Sequence, residues 1–360
     1  MEKMKGLVTN DQGSLELKEV PVPRLGDNPF SPQDVLIEVE YCGICGSDVH
    51  NWEADKEGVK KSPANVVMGH EIVGVVKEIG PEVTKVEPGD RVVCEIVTFY
   101  CGHCKNCRQG RYNICLNLEP MEGRAHFVTG GGFAKYTVWP EEQVHKLPDN
   151  ISSKAAVLME PTAGSIHSII SRMEVKPGES VAVLGPGARG LLLMQVSKAI
   201  GASPVYVSGL DRDADFRLEM AKKLGADRVI NVEEEDIREV IAELTGTGVD
   251  VVLENTGSVE PIDESLDIVR KGGKVLWAGG GIRGGIVAPV DTYKIIANEI
   301  DVVGEISQIP YDWDTAIQLV SSGKVNLEPL VTHVYDLEDW EKGFEMAATS
   351  PECLRVAVEV

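Results

Sequence analysis

The chain has 360 residues, 43% apolar and 26% charged, the balance of a globular protein with length for about two domains, not of a disordered, collagenous or coiled-coil chain. Its formal net charge of −22 argues against a nucleic-acid partner, whose phosphates need a basic surface. Met1 to Asn10 carry no apolar signal-peptide core and no long apolar run follows, so the expectation is a cytoplasmic protein with no membrane partner.

Up to about residue 150 the chain reads as short strands cut by Gly and Pro. Asp34–Tyr41 alternates apolar and polar residues, and Glu71–Ile79 and Arg91–Val97 are rich in Val and Ile, with Pro88-Gly89-Asp90 as a turn between them. The character changes after Ile151. Ser152 is placed to cap a helix through Ala155–Met159. Strand and helix then alternate: strands at Ser180–Gly185, Pro204–Gly209, Asp250–Gly257, Lys274–Gly280 and Ile300–Glu305, and helices at Gly190–Ile200, Phe216–Leu224 and Pro261–Val269. That alternation predicts right-handed βαβ units and a parallel sheet, and the unbroken apolar runs fit a sheet covered on both faces. The tail beyond Ser307 reads as helical and ends in a strand, Leu354–Val360.

Four of the eight cysteines, Cys101, Cys104, Cys107 and Cys115, fall in CGHCKNCRQGRYNIC. In a chain without an export signal such clustering reads as metal binding rather than disulfides. Four thiolates fill a tetrahedral Zn2+ and leave no open position, so the expected role is structural. His103 inside this knuckle reads as a bystander, Cys42 and Cys94 as core thiols, and Cys353 as uninformative. A second donor set is dispersed: Cys45 in YCGICGSDVH, His70 and Glu71 in MGHEIVG, and Glu160 in LMEPTAG. Together these offer sulfur, nitrogen and carboxylate oxygen, a set that Zn2+ accepts at catalytic sites.

In SVAVLGPGARG, Gly185, Gly187 and Gly190 follow a strand and open a helix. That context makes the G-x-G-x-x-G a dinucleotide loop: the first Gly turns the chain, the second admits the pyrophosphate, the third packs helix on strand, and the helix N-terminus faces the phosphates. Thr256-Gly257 and the run Gly279-Gly280-Gly281 follow later strands, where loops of such a sheet meet the cofactor's nicotinamide end.

Taken together, GICGSDVH, GHE, GDRV, the four-cysteine knuckle and the later glycine loop strongly resemble the zinc-containing medium-chain dehydrogenases, in their polyol branch of sorbitol, iditol, threonine and butanediol dehydrogenases. The resemblance spans essentially the whole chain. It implies an α/β protein in which a GroES-like β-rich catalytic domain (1–160, with a return at 306–360) is interrupted by a Rossmann doubly wound domain (161–305), with the active site in the cleft. It also implies that Cys45, His70 and Glu160 are catalytic zinc ligands and that Glu71 binds the metal directly or through water. Asp48 would orient the ligand His70, Ser47 would contact the substrate oxygen, and His50 would form the outer end of a proton relay. The family's usual ribose-binding Asp falls where this chain has Gly209. Asp211 comes two residues later, beside Arg212, so NAD and NADP both stay open.

The implied function is hydride transfer between NAD(P) and the secondary alcohol of a polyol or sugar, or the matching ketone, with one catalytic and one structural zinc per chain. Threonine or vicinal-diol oxidation is the enzymatic alternative, and a non-catalytic nucleotide-binding sensor or structural protein the alternative of another class. The implied assembly is a homodimer or homotetramer.

Overall fold

The computed structural model describes residues 2–10, 14–26, 32–56, 65–96, 100–117, 130–279 and 287–360, and the side chains of these except 54–56. Two compact units divide the chain: residues 1–160, 307–317 and 327–360 form the first, and 161–306 with 318–326 the second.

In the first unit, β1 (Lys3–Thr9) and β2 (Leu15–Pro21) form an antiparallel ribbon. The main sheet uses β3 (Asp34–Gly43), β4 (Glu71–Ile79), β5 (Arg91–Cys94), β6 (Tyr136–Pro140), β7 (Val144–Lys146), β14 (Val331–Asp336) and β15 (Arg355–Glu359). Their order is β14-β15-β3-β4-β5-β7, with β6 also paired to β3. Val35, Ile37, Val39, Ile72, Val76, Val92, Phe133 and Trp139 fill its core.

Register fixes one end of this sheet. Gly43, the last residue of β3, pairs with Glu71, the first of β4. The C-terminal strand β15 lies against β3, and Ile44 N–H donates to Val356 O at 3.0 Å. Cys45, His70, Glu71 and Arg355 therefore converge from three strand ends.

The second unit is a parallel sheet of β8 (Val181–Leu184), β9 (Val205–Gly209), β10 (Arg228–Asn231), β11 (Val249–Glu254), β12 (Val269–Trp277) and β13 (Asp301–Val303). Its order, β10-β9-β8-β11-β12-β13, is the doubly wound arrangement whose direction reverses between β8 and β11, the switch point at which ligands bind. All residues of β8 and β9 are buried, as a sheet covered on both faces requires.

Several elements differ from the sequence reading. Ser152 Oγ accepts from Ala155 N–H at 3.1 Å, but the helix it caps stops at Ala156 and a second runs over Met159–Ile166. The strand beginning at Arg91 ends at Cys94, where Glu95 turns in to meet Tyr112 and His145; Val97 lies outside the described residues. The short strands β10 and β14 were not anticipated: four residues in one case and a half-exposed alternation in the other give little apolar signal.

Candidate metal centre and dinucleotide site

The helix Gly46–Lys56 starts directly after β3 and Ile44. Asp48 in its first turn folds back, and its Oδ2 accepts the Cys45 N–H at 2.9 Å. Its Oδ1 stands 3.7 Å from His70 Nδ1, so one buried carboxylate addresses both the loop that carries Cys45 and the imidazole. Gly69, at φ +92°, must be glycine: a Cβ there would meet Cys42 Sγ at 2.7 Å and Phe133 at 2.8 Å. This turn delivers His70 and Glu71 to the strand end.

One ligand atom each from Cys45, His70 and Glu71 lies within 4.8 Å of the others. Glu71 is fully buried, and neither carboxylate oxygen has a hydrogen-bond partner among the described residues, although Arg355 Nη1 stands 3.2 Å from Oε1. Arg355 is itself buried and anchored on Ile44 O at 2.6 Å. Burial pushes the Glu71 carboxyl well above the ordinary range, against the pull of Arg355. Burial also opposes ionisation of Cys45, but His70 and Arg355 outweigh it and hold the thiol down to about 7. Burial works against a charged His70, yet Asp48, Cys45 and Glu160 raise it well above its usual value. A buried thiol, imidazole and carboxylate whose oxygens lack donors is a set that fits Zn2+.

The structure does not bring Glu160 into that triad. Its Oε1 accepts from Gln308 Nε2 at 2.5 Å, and the same amide reaches the Glu160 carbonyl at 3.3 Å. The Glu160 charge is still felt by His70, Glu71 and Arg355. Ser47 and His50 lie one turn apart on the Gly46–Lys56 helix, both half-buried, and His50 Nδ1 is 3.4 Å from Glu53 Oε2.

Sequence reasoning missed Arg355 and Gln308. Arg355 had a signal, a lone cation in an apolar terminal strand. Gln308 had none, because a segment 148 residues beyond Glu160 supplies it.

The knuckle closes on itself. Cys101 and Cys107 Sγ are 4.0 Å apart, as are Cys104 and Cys115 Sγ, close to the roughly 3.8 Å edge of a tetrahedron with about 2.3 Å zinc–sulfur bonds. Backbone N–H groups of Cys104, Cys107 and Asn117 point at the sulfurs of Cys101, Cys104 and Cys115 at 3.3–3.4 Å. Burial resists ionisation of Cys101, but hydrogen bonds from its neighbours bring it to about 6. His103 turns outward, with Nδ1 2.6 Å from the Cys101 carbonyl.

In the second unit Gly185 has φ +101°, and a Cβ at Gly190 would stand 1.9 Å from Gly185 O. A Cβ at Gly187 would meet nothing within 4 Å. This open cradle at the start of the helix Ala188–Ala199 fits a pyrophosphate. Gly209 ends β9, and a Cβ there would press on Pro186 Cγ at 2.8 Å. Asp211 is exposed, as is Arg212; Asp211 Oδ1 accepts from Asn231 Nδ2 at 2.7 Å, and its N–H donates to Glu233 Oε2 at 2.6 Å. The Thr256 hydroxyl is committed to Glu254 Oε1 at 2.7 Å. Gly279 packs on Gly257, where a Cβ would stand 2.1 Å from its nitrogen. Gly280 and Gly281 lie outside the described residues.

A doubly wound sheet opened by a glycine cradle, with a thiol–imidazole–carboxylate centre elsewhere in the chain, defines a metal-dependent pyridine-nucleotide oxidoreductase. The alcohol dehydrogenase GroES-like domain matches residues 31–149, and the zinc-binding dehydrogenase domain matches residues 189–322. The chain is 36% identical to D-arabitol-phosphate dehydrogenase of Enterococcus avium over 360 residues, 99% of this chain and 97% of that one. It is 38% identical to sorbitol dehydrogenase of Halalkalibacterium halodurans over 98% of each. A zinc-binding dehydrogenase of Sinorhizobium meliloti 1021, solved bound to NADP, superposes with a TM-score of 0.87 at 29% identity, covering 100% of both chains. The chain belongs to the zinc-binding dehydrogenases with an alcohol dehydrogenase GroES-like domain: it is a zinc- and NAD(P)-dependent alcohol dehydrogenase, built from a GroES-like domain and a Rossmann domain.

Proposed function

We propose that this enzyme interconverts a secondary alcohol of a polyol or sugar with its ketone, passing hydride to or from NAD(P). The observation that carries the metal half is the buried Cys45–His70–Glu71 triad. The polyol class is supported by the names of the similar enzymes, D-arabitol-phosphate and sorbitol dehydrogenases.

Cys45 and His70 would hold the catalytic zinc, with Glu71 and Glu160 as its carboxylates, and the four knuckle cysteines the structural one. When bound, the catalytic zinc supplies a Lewis acid that makes an alcohol easier to deprotonate. The remaining work belongs to the chain. Asp48 orients His70 and fixes the Cys45 backbone. Ser47 Oγ accepts the substrate's proton, and His50, one turn on, carries it outward toward Glu53. Arg355 stands against the Glu71 carboxyl and opposes, without cancelling, the effect of burial on it. Gly185, Gly187 and Gly190 seat the pyrophosphate, Asp211 or Arg212 meets the adenosine ribose, and the loops at Thr256 and Gly279 flank the nicotinamide side.

We assign residues 1–160 and 306–360 to the catalytic domain and 161–305 to the nucleotide domain; the two compact units support the main division, but 306 and 318–326 pack with the second unit. We place the enzyme in the cytoplasm as a homodimer or homotetramer; no described helix is long and apolar enough to cross a membrane. The edge strand β13 with Val302, and the neighbouring exposed Tyr293 and Ile296, offer a self-association edge.

The test is nicotinamide absorbance at 340 nm with polyols, sugars, their phosphates, diols and threonine, using NAD and NADP in parallel, with zinc quantified on the same sample. A rate with a polyol or sugar and about two zinc per chain supports the reading. A rate confined to threonine or butane-2,3-diol replaces the substrate class, and no rate at full zinc loading moves the weight to a non-catalytic nucleotide-binding role.

A further inference from the structure

Arg189 stands where a cation is least expected. It is the second residue of the helix Ala188–Ala199, inside the glycine loop, and the first turn holds no acidic residue. A helix N-terminus carries partial positive charge, so a guanidinium there is disfavoured unless something else holds it. What holds it lies across the switch point. Arg189 Nη2 pairs with Glu305 Oε1 and donates to Ser168 Oγ at 3.2 Å, while Nη1 donates to Asn255 Oδ1 at 3.3 Å. Asn255 directly follows β11, and Glu305 is two residues beyond β13. Both side chains of the ion pair are largely buried, 18% and 5% exposed. The Glu305 segment is fixed from behind, where Arg172 Nε and Nη2 donate to Gly304 O at 3.1 and 2.9 Å.

The position tells which part of a dinucleotide this pair meets. With the order β10-β9-β8-β11-β12-β13, the adenosine lies toward β9 and the other half of the cofactor toward β11–β13. Among the described residues nothing crowds that side: a Cβ at Gly187 or at Gly304 would meet none of them within 4 Å. The pair is also the wrong instrument for a phosphate, because Glu305 neutralises the guanidinium and would repel an anion. It suits a neutral group that both accepts and donates hydrogen bonds. The nicotinamide carboxamide is such a group, with a carbonyl for Arg189 and an NH2 for Glu305.

Resting on the NAD(P) reading of the glycine loop, we infer that Arg189 and Glu305 form a carboxamide seat that selects and orients the nicotinamide ring. The pair acts as a unit, so its removal is best made symmetric. Arg189→Leu/Glu305→Leu replaces the ion pair by apolar side chains and leaves no orphan charge, a change that buried pairs commonly tolerate.

The experiment is titration calorimetry of the zinc-loaded protein with NAD, with ADP-ribose, and with 3-acetylpyridine adenine dinucleotide, in which a methyl replaces the carboxamide NH2. In the double variant NAD affinity is expected to fall roughly tenfold, the worth of a hydrogen bond to a charged group, while ADP-ribose affinity stays within about twofold of wild type. The wild-type preference for NAD over the acetylpyridine analogue is expected to disappear. If NAD and ADP-ribose weaken together, the pair serves the pyrophosphate or the fold and the inference fails. If neither changes, the pair is structural only and the inference fails. If ADP-ribose does not bind the wild type, the dinucleotide reading itself falls. Should the double variant not fold, the isosteric Glu305→Gln decides: a severalfold loss of NAD affinity with ADP-ribose unchanged supports the seat, and equal affinities overturn it.

Discussion

Gly43 faces Glu71 across the sheet so closely that a methyl group on Gly43 would stand 2.0 Å from Glu71 Oε2. The missing side chain is what makes room for a buried carboxylate beside Cys45 and His70. Gly43→Ala is therefore expected to swing the Glu71 carboxylate out of the triad without unfolding the sheet. Zinc affinity at this site should fall roughly 10- to 100-fold, the range for disturbed metal-site support, so that zinc content drops below about two per chain at limiting metal and kcat/KM falls with it. Metal analysis and steady-state kinetics on one sample check it; unchanged zinc and rate would mean that Glu71 is not needed at the metal.

Arg355 presents a second dependence. It is buried against Glu71, and its removal breaks a buried pair and takes away the cation that opposes the effect of burial on the Glu71 carboxyl. Arg355→Gln should cost about 3–5 kcal/mol of stability in the metal-free chain. Glu71→Gln in the same background should restore part of that, because the carboxyl left without its cation is gone. Denaturant titration of wild type, Arg355→Gln, Glu71→Gln and the double variant checks this; independent, additive losses would show that the residues are not coupled.

The contrast between these two residues shows what the sequence carried. Gly43 and Glu71 sit within or beside compact motifs, and the elements around them, Asp34–Tyr41 and Glu71–Ile79, were legible from apolar patterning. The sheet of the second unit was legible for the same reason, since βαβ alternation is a local signal. Arg355 and Gln308 reach the site by long-range pairing, through β15 on β3 and an amide contact with Glu160. No spacing rule links positions that far apart. Arg189 was visible in the sequence as one letter in a glycine loop, but its meaning rests on Glu305 and Asn255, which only the strand order brings beside it.

Asp250 gives a pH test away from the metal. Its carboxylate accepts from Ser180 N–H at 2.8 Å, Ser180 Oγ at 2.7 Å and Arg270 Nε at 2.6 Å. Burial pushes its pKa up, but those donors outweigh burial and hold it below the usual value of 3.8. Because the folded value is depressed, the stabilisation is full above the unfolded carboxylate range and fades as pH falls through the folded value. Asp250→Asn should cost about 1–2 kcal/mol at pH 7, and that difference should shrink below pH 4. Thermal melts of both proteins between pH 3 and 7 check it; a constant gap would show that the charge is not what matters.

The knuckle separates stability from chemistry. Cys104 Sγ lies 4.0 Å from Cys115 Sγ and receives the Cys107 N–H at 3.4 Å, so Cys104→Ser removes one donor of a closed set. One zinc per chain and several degrees of Tm should be lost, or subunit assembly disturbed, while turnover per correctly assembled subunit changes less than threefold. Calorimetry, metal analysis and active-site titration check it. An unchanged Tm would count against a structural metal, and a large kcat loss at full assembly would tie the knuckle to catalysis.

The sequence alone makes Gly209→Asp the natural test of cofactor choice, since it restores an acid at the end of β9 and should lower NADP affinity at least tenfold. The structure changes that expectation. Any side chain at Gly209 presses on Pro186 of the glycine loop, 2.8 Å from the new Cβ, and approaches Asp213 at 3.2 Å. Gly209→Ala should therefore weaken NAD and NADP alike. The discriminating charge lies further on, where Asp211 is oriented by Asn231 and its backbone N–H is held by Glu233. Two carboxylates at the ends of β9 and β10 oppose a 2′-phosphate and suit a ribose hydroxyl. Wild type should prefer NAD, and Asp211→Ala/Glu233→Gln should narrow the NAD:NADP affinity ratio by roughly tenfold or more, about the effect of removing one or two repulsive charges from a partly screened site. Calorimetry with both dinucleotides and with 2′,5′-ADP checks it. If wild type instead prefers NADP and Arg212→Ala abolishes that preference, Arg212 and not Asp211 meets the ribose.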